Sequence, residues 1–269
     1  MKEKNNQIDM VVFDWAGTTI DYGSSAPMEV FKMVFDEAGI NLTRSEINGP
    51  MGMEKKAHIR LLLSLTTAKN QWQSKYDREW TEDDVENLYV KFEKRLYEVI
   101  LNYSTLIDGV VETVNELRKG GIKIGSTTGY NNQMMDKIIP FAKKQGYGPD
   151  CVVTPDVTGV GRPTPFMLHE CMRVLNVYPP RKVVKVGDTI TDIYEGKNAG
   201  AWSIGILVGS NLLGLNKEEY EAISVEELDV LKDITTKKYM EAGADMVIDN
   251  ITELPMAIEK INQMMANEE

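Results

Sequence analysis

Short apolar segments alternate with amphipathic helical segments along most of the chain, and this alternation limits the fold more than any other feature of the sequence. Each apolar segment lies next to glycine, proline or aspartate and predicts a buried strand. The predicted strands are Ile8–Phe13, Ile122–Thr127, Cys151–Thr154, Val183–Val186, Ser203–Val208 and Met246–Ile248. The predicted helices between them include Val110–Lys119, Met134–Lys144, Pro165–Leu175 and Ile190–Ala199. This order predicts an α/β fold with a doubly wound, Rossmann-like parallel sheet.

The alternation is interrupted after the first predicted strand, where about eighty residues carry helical signals only. Ser24 and Ser25 are candidate N-caps for the first of these helices, and Thr43 with Glu46 matches a capping box. An all-helical insert at this point predicts a cap domain that covers the carboxyl ends of the strands. We therefore predict an α/β core domain of residues 1–22 and 103–269 and a helical cap domain of residues 23–102.

Charge and composition argue against several classes of partner. The chain has 30 basic and 41 acidic residues and a net charge of −11, whereas binding to nucleic acid needs clustered Lys and Arg. Two cysteines, Cys151 and Cys171, are too few for a disulfide framework and favour a reducing compartment. The segment Met1–Gln7 is polar, and no apolar run reaches the roughly 18 residues that cross a bilayer. We expect a cytoplasmic protein without nucleic-acid or membrane partners.

Polar residues with the chemistry of a phosphoryl-transfer site follow four of the predicted strands. They are Asp14, then Thr128, then Arg162, then the pair Asp188 and Asp192. In a parallel sheet these positions lie at one edge, where ligands bind. Two carboxylates suit Mg²⁺, and a hydroxyl, backbone N–H groups and a guanidinium suit phosphoryl oxygens. Each residue alone also has an ordinary explanation as a turn, strand, surface or capping residue, and only the combination indicates a site.

In this order the four motifs resemble those of the haloacid dehalogenase superfamily of aspartyl phosphotransferases, and the helical insert resembles that family's cap. The resemblance implies that Asp14 is a nucleophile and that phosphate is bound by Thr128, Gly129 and Arg162. It further implies a Mg²⁺ ion held by Asp14, the main-chain carbonyl of Ala16 and Asp188, with the water shell of the metal oriented by Asp192.

The chain departs from the superfamily pattern two residues after Asp14. Phosphatases of this superfamily usually carry a second aspartate there, which protonates the leaving alkoxide, but this sequence has Ala16. Without that acid, we expect the hydrolysis of ordinary phosphate monoesters to be poor.

A lysine of the insert supplies a different kind of chemistry. Lys55 and His58 are three residues apart and therefore share one face of a predicted helix, Met53–Leu65. A lysine that is desolvated under a cap can form a Schiff base, whereas we expect the neighbouring Lys56 to be solvated. His58 has two open interpretations, as a packing residue and as a proton carrier.

The motifs DWAGTT, PMGxxKxxH, STTGY, GRP and GDTxxD together are similar to those of the phosphonatase family, and the similarity covers essentially the full chain. This implies hydrolysis of the P–C bond of phosphonoacetaldehyde to acetaldehyde and phosphate, in the degradation of 2-aminoethylphosphonate. It also implies a Schiff base on Lys55, an aspartyl-phosphate on Asp14, and a homodimer joined through the caps. Further site residues implied by the resemblance are His58, Met51, Gly52 and Tyr130.

One position differs from some members of that family, which have a reactive cysteine where this chain has Ser24. We interpret Ser24 as non-catalytic.

Other functions remain as alternatives. A phosphomonoesterase or phosphomutase of the same superfamily is disfavoured by Ala16 and Lys55, and a dehalogenase by the paired carboxylates of Asp188 and Asp192, which indicate a metal. A non-catalytic phosphate-binding module is disfavoured by the intact Asp14 within a complete set of motifs.

Overall fold

A computed structural model describes residues 7–267 of the chain. All of the amino-terminal segment Met1–Gln7 except Gln7, and the last two residues of the predicted core domain, lie outside this range. Six parallel strands form one sheet in the order β3-β2-β1-β4-β5-β6. They are β1 Met10–Phe13, β2 Lys123–Thr127, β3 Cys151–Val153, β4 Val183–Gly187, β5 Trp202–Ile206 and β6 Met246–Ile248.

The helices that connect these strands are placed as the alternation predicts. In chain order they are α1 Ser25–Glu37, α2 Arg44–Asn48, α3 Lys55–Ser64, α4 Thr66–Tyr76, α5 Glu82–Val99, α6 Val110–Lys119, α7 Asn132–Lys144, α8 Pro155–Thr158, α9 Phe166–Leu175, α10 Ile190–Asn198, α11 Lys217–Ala222, α12 Val225–Glu241 and α13 Leu254–Asn267. The predicted bounds agree with these to within two residues, a difference that is usual at the ends of elements. The predicted doubly wound parallel sheet is confirmed.

One of the two central strands of the sheet is β1, whose four residues are all buried between β2 and β4. Phe13 pairs with Ser126 of β2 on one side and with Val186 of β4 on the other. This register brings the carboxyl ends of the three strands level with one another. The strand order reverses between β1 and β4, and such a reversal opens a crevice for ligands in doubly wound sheets.

Between β1 and α6 the chain forms helices α1 to α5 and two short 3₁₀ turns, and we refer to this segment, Tyr22–Tyr103, as the helical insert. Within it α1 packs against α5, where the Phe31 and Phe92 rings stack with centroids 4.1 Å apart, and these residues belong to the same apolar core as β1. The capping box of Thr43 and Glu46 is confirmed at the start of α2. The division into separate domains at residues 22/23 and 102/103 remains a prediction.

Ser24 occupies the N-cap position of α1, as predicted, but its side chain does not cap the helix, and Ser25 is the first residue of the helix. Ser24 adopts a left-handed backbone with φ of 51° and makes no side-chain cap hydrogen bond. The carboxylate of Asp21 instead accepts hydrogen bonds from the backbone N–H groups of Ser25, at 2.9 Å, and Ala26, at 3.0 Å. Asp21 itself lies just before the helical insert, so the first helix of the insert is anchored by a core residue.

None of the helices within residues 7–267 combines the length and the apolar character needed to cross a membrane.

Candidate active site

A cavity lies where the carboxyl ends of β1, β2 and β4 meet the helical insert. Ten of the twelve site residues predicted from the sequence line it, together with Ser24, Pro27 and Thr189. The ten are Asp14, Ala16, Met51, Gly52, Lys55, Thr128, Gly129, Tyr130, Arg162 and Asp188. The other two, His58 and Asp192, are buried behind this lining. The fold therefore brings residues from motifs that lie far apart in the sequence to one place.

The carboxylate of Asp14 follows β1 directly and is held by an ion pair. Arg162 donates from Nη2 to Asp14 Oδ1 at 2.6 Å and from Nη1 to Asp192 Oδ1. All three side chains are buried. Burial acts to lower the pKa of Arg162, but the charges of Asp14, Asp192 and Glu195 outweigh burial and raise it. Arg162 is therefore a fixed cation beside the predicted nucleophile.

Asp188 follows β4 and faces Asp14 across the cavity. Its Oδ2 accepts a hydrogen bond from the backbone N–H of Asn211 at 2.9 Å, while its buried Oδ1 finds no partner among residues 7–267. Burial raises the pKa of Asp188 well above its usual value, and the negative charges of Asp14 and Asp192 add to this effect. No Lys or Arg of the described residues forms an ion pair with this carboxyl group, so an added cation would offset its charge.

These carboxylates fit a divalent metal ion. Ligand atoms of Asp14, Asp188 and Asp192 lie within 4.8 Å of one another, and all three residues are buried. Oxygen donors of this kind suit hard cations, and the buried Oδ1 of Asp188 has no hydrogen-bond partner among residues 7–267 that would compete with such a bond. The cluster of three aspartates can therefore bind a metal.

Gly17 is required for this arrangement because no side chain fits there. A Cβ atom on Gly17 would lie 2.0 Å from Asp188 Oδ2, and its φ of +83° favours glycine. The turn after Asp14 therefore packs directly against the carboxylate that follows β4.

Asp192 lies in the first turn of α10, whose amino-terminal end it caps together with Thr189. Its carboxylate forms ion pairs with Arg162 and with Lys185, whose Nζ lies 3.0 Å from Asp192 Oδ1. The two cations lower the pKa of Asp192 although burial acts to raise it. In this structure Asp192 thus orients Arg162, and a role in ordering the waters of a metal remains a prediction.

Lys55 is the first residue of α3 and points into the cavity, with only 6% of its surface exposed. Its Nζ lies 5.8 Å from the centre of the Phe31 ring and 5.6 Å from that of Tyr130. Burial lowers the pKa of Lys55 to about 8, and the charge of Arg162 contributes to the shift. A substantial fraction of the amine is therefore neutral near physiological pH.

Lys56, the next residue, is in a different environment. Its Nζ forms an ion pair with Glu86 at 2.7 Å, lies 4.7 Å from the centre of the Tyr89 ring, and is partly exposed. Lys56 does not line the cavity.

His58 is fully buried one turn further along α3. Its Nε2 lies 2.9 Å from the carbonyl oxygen of Ile47, and its ring packs on Phe31 with centroids 4.1 Å apart. Burial lowers the pKa of His58 to about 3, and the charge of Lys55 adds to the shift, so the ring stays neutral near pH 7. This places His58 behind Lys55 and not against the space open to a substrate.

The loop before α3 docks the helical insert on the core. The hydroxyl of Thr191 donates to the carbonyl oxygen of Met51 at 3.3 Å. Gly52 has a φ of +88°, and a Cβ atom there would lie 2.5 Å from Thr189 Oγ1. Met51 and Gly52 therefore form the wall of the cavity that closes over the start of α10.

Two charged groups beside the site are absent from the sequence-based prediction. Lys185 lies within β4 and Glu195 within α10, and both side chains are fully buried. A lysine inside an otherwise apolar strand was the available signal, since such a residue is almost never buried without a partner.

Comparisons with known proteins find relatives that match most of the chain. The family model described as haloacid dehalogenase-like hydrolase matches residues 8–200. A phosphonoacetaldehyde hydrolase of Bacillus cytotoxicus is 45% identical over 96% of this chain and 97% of its own length. A protein of the same name from Parabacteroides distasonis is 45% identical over 95% of this chain and 97% of its own length. The crystal structure of a phosphonoacetaldehyde hydrolase-like protein from Oleispira antarctica superposes with a TM-score of 0.95 at 35% identity, covering 100% of this chain and 99% of that one.

Proposed function

Because the chain belongs to the phosphonoacetaldehyde hydrolases, a family of haloacid dehalogenase-like enzymes, we propose that it hydrolyses the P–C bond of phosphonoacetaldehyde to acetaldehyde and phosphate. The reaction uses a Schiff base on Lys55 and an aspartyl-phosphate on Asp14, and it belongs to the degradation of 2-aminoethylphosphonate. The observation that carries this proposal is the desolvated amine of Lys55 in the same cavity as the Asp14 carboxylate.

The lysine solves the central difficulty of breaking a P–C bond, which is the instability of the carbanion that would leave. The neutral amine of Lys55 condenses with the substrate aldehyde and releases water. When the P–C bond breaks, its electron pair moves onto the adjacent carbon and into the protonated imine, which becomes an enamine. Protonation of the enamine carbon and hydrolysis of the imine then release acetaldehyde and regenerate the amine.

The carboxylate of Asp14 accepts the phosphoryl group by in-line attack on phosphorus. Thr128, Gly129 and Arg162 hold the phosphoryl oxygens, and water later cleaves the aspartyl-phosphate. Asp14, Asp188 and the main-chain carbonyl of Ala16 would hold Mg²⁺, with its waters oriented by Asp192, and the ion when bound neutralises charge on the phosphoryl group.

We propose that the helical insert moves to admit the substrate. The cavity volume is about 20 Å³, which suits a single water molecule and not a phosphonate. We treat residues 23–102 as a cap domain that opens for the substrate and closes over it, so that Lys55 reaches the aldehyde only after closure.

We also propose that the enzyme acts in the cytoplasm as a homodimer joined through the helical insert. Exposed apolar side chains on α1, α3 and α5 support such an interface, since Met33 is 45%, Leu61 45% and Val90 55% exposed. The net charge of −11 supports the absence of a nucleic-acid partner.

The proposal is tested by incubating the protein with phosphonoacetaldehyde and measuring phosphate and acetaldehyde in the same sample. We expect equimolar release in the presence of Mg²⁺ and its loss after chelation with EDTA. Faster phosphate release from a simple phosphate ester than from the phosphonate would instead favour the phosphomonoesterase alternative.

Ala16→Asp tests the explanation for the missing acid. Because the leaving carbon is stabilised through the imine nitrogen, no alkoxide needs a proton, and we expect no gain in phosphonate cleavage. The new carboxyl group should create weak hydrolysis of phosphate monoesters, since it supplies the general acid that such a reaction needs. The measurement is phosphate release from both substrate classes, and an acceleration of phosphonate cleavage in this variant would contradict the explanation.

The pKa of Lys55 predicts the pH dependence of the reaction. Only the neutral amine attacks the aldehyde, so kcat/KM should rise about tenfold per pH unit below pH 8 and level off above a pKa of about 8. If Lys55 instead had the pKa of an unperturbed lysine, about 10.4, the rise of kcat/KM would continue beyond pH 9. A pH profile of kcat/KM from pH 6 to 10 separates the two cases.

A further inference from the structure

Two buried charges lie next to the cavity without lining it. The ammonium of Lys185 donates to Thr127 Oγ1 at 2.9 Å and pairs with Asp192 Oδ1 at 3.0 Å and Glu195 Oε2 at 3.1 Å. Thr127 in turn donates its hydroxyl proton to Glu195 Oε2 at 2.8 Å. These side chains therefore link the end of β2 and the middle of β4 to α10.

The stability of the fold does not by itself call for this pair. Taking a lysine and a glutamate out of water is costly, and apolar residues of similar volume are often as stable in their place. All five residues of β4 are buried, and strands buried in a parallel sheet are usually apolar throughout, so an apolar residue would be the ordinary choice at position 185. A charged pair at this point favours a role in the neighbouring site.

The pair is connected to the predicted nucleophile through two contacts. Lys185 shares Asp192 Oδ1 with Arg162, and Glu195 Oε2 lies 3.9 Å from Arg162 Nε. The other end of the guanidinium holds Asp14 Oδ1 at 2.6 Å. Movement of Lys185 or Glu195 would therefore tilt the guanidinium plane and, with it, the carboxylate of Asp14.

The charges of the group also balance. Arg162 and Lys185 offset the carboxylates of Asp192 and Glu195, which leaves Asp14 and Asp188 as the two carboxylates for a divalent cation.

We propose that Lys185 and Glu195 are positioning residues, which hold Arg162 and Asp192 in place and thereby fix the orientation in which Asp14 attacks phosphorus. The inference rests on the proposed function, because it requires Asp14 to be the nucleophile. Neither side chain lines the cavity, so the two residues act on the rate of phosphoryl transfer and not on binding of the substrate.

Glu195→Gln tests this directly, since it keeps the size of the side chain and removes its charge. We expect kcat to fall by about 10- to 100-fold, the range seen when partners of metal-site ligands are removed, with KM changed by less than about threefold. Trapping of the Lys55 imine by acetaldehyde and borohydride should keep its wild-type rate, because Lys55 lies in the helical insert and contacts neither residue. A general distortion of the fold would lower both rates.

A double variant, Lys185→Met/Glu195→Gln, guards against unfolding. Lys185→Met alone leaves two buried carboxylates without this cation and is expected to destabilise the protein, whereas the double variant removes one charge of each sign. It should fold, as judged by its thermal melt, and still show the reduced kcat. Lys197→Met is the matched control. Lys197 lies on α10, as Glu195 does, but pairs with Asp245 at the surface, and we expect this substitution to leave kcat unchanged.

Wild-type kcat in a folded Glu195→Gln or double variant overturns the inference, as does a parallel loss of kcat and of imine trapping. If neither variant folds, Lys185 and Glu195 serve the stability of the fold, and this result overturns the inference as well. An inactive wild-type protein overturns the proposed function and this inference together, whereas an active wild type with unaffected variants overturns the inference alone.

Discussion

Asp14→Ala should lower kcat by on the order of 10⁴-fold or more, the scale on which removal of a nucleophile acts. The carboxylate that accepts the phosphoryl group is gone, and Asp192 cannot replace it because Arg162 and Lys185 hold it within α10. The measurement is phosphate release from phosphonoacetaldehyde under saturating conditions.

Asp14→Asn is the matched variant for this prediction, because it keeps the shape of the side chain and a contact for Arg162. It should lose phosphate release like the alanine variant, yet still form the imine at Lys55, which does not depend on the nucleophile. More than trace turnover in Asp14→Ala would show that the reaction does not proceed through an aspartyl-phosphate.

Lys55→Arg should abolish turnover on a similar scale, about 10⁴-fold or more, because a guanidinium is always charged and cannot form an imine. The substituted side chain retains a positive charge in the same cavity, so binding of inorganic phosphate and Mg²⁺ should be close to that of the wild type. Steady-state kinetics and calorimetric titration with each ligand measure the two effects separately.

Lys56→Arg is the control for that result, since Lys56 is adjacent in sequence but pairs with Glu86 outside the cavity. We expect its activity to stay within about twofold of the wild type, because surface ion pairs contribute little. Substantial turnover in Lys55→Arg, or a large loss in Lys56→Arg, would transfer the proposed role to another residue.

Much of the fold and the position of the cavity could be predicted because the relevant signals are local in sequence. Asp14 and Asp188 each follow a short apolar strand, and parallel strands place such residues at one edge. The helical insert was recognisable because no strand-like segment interrupts its run of helical patterns. These features depend on neighbouring residues, which a single sequence displays directly.

Other features depend on contacts between distant residues and were not predictable in the same way. The side chain that caps α1 is that of Asp21, whereas Ser24, at the N-cap position, has a left-handed backbone and makes no side-chain cap hydrogen bond. Lys185 and Glu195 meet only once β4 and α10 have packed together. Nothing in the local pattern of either element shows the partner.

His58 illustrates the limit of helical spacing. It shares a face of α3 with Lys55, as the spacing of three predicts, but that face meets two environments. The first turn of α3, with Lys55, borders the cavity. One turn later, His58 packs on Phe31 and contacts the carbonyl oxygen of Ile47. The spacing of residues alone does not show where the cavity ends and the packed interior of the protein begins.

The central claim is that an imine at Lys55 carries the cleavage of the P–C bond, and borohydride trapping tests it most directly. The wild-type protein is incubated with acetaldehyde and borohydride, digested, and the modified peptide located by mass spectrometry. Reduction of the imine leaves an ethyl group on the lysine nitrogen and should inactivate the enzyme. We predict one modified residue, Lys55, appearing in step with the loss of activity. Inactivation with the label on Lys56, or full activity after complete labelling of Lys55, would contradict the account.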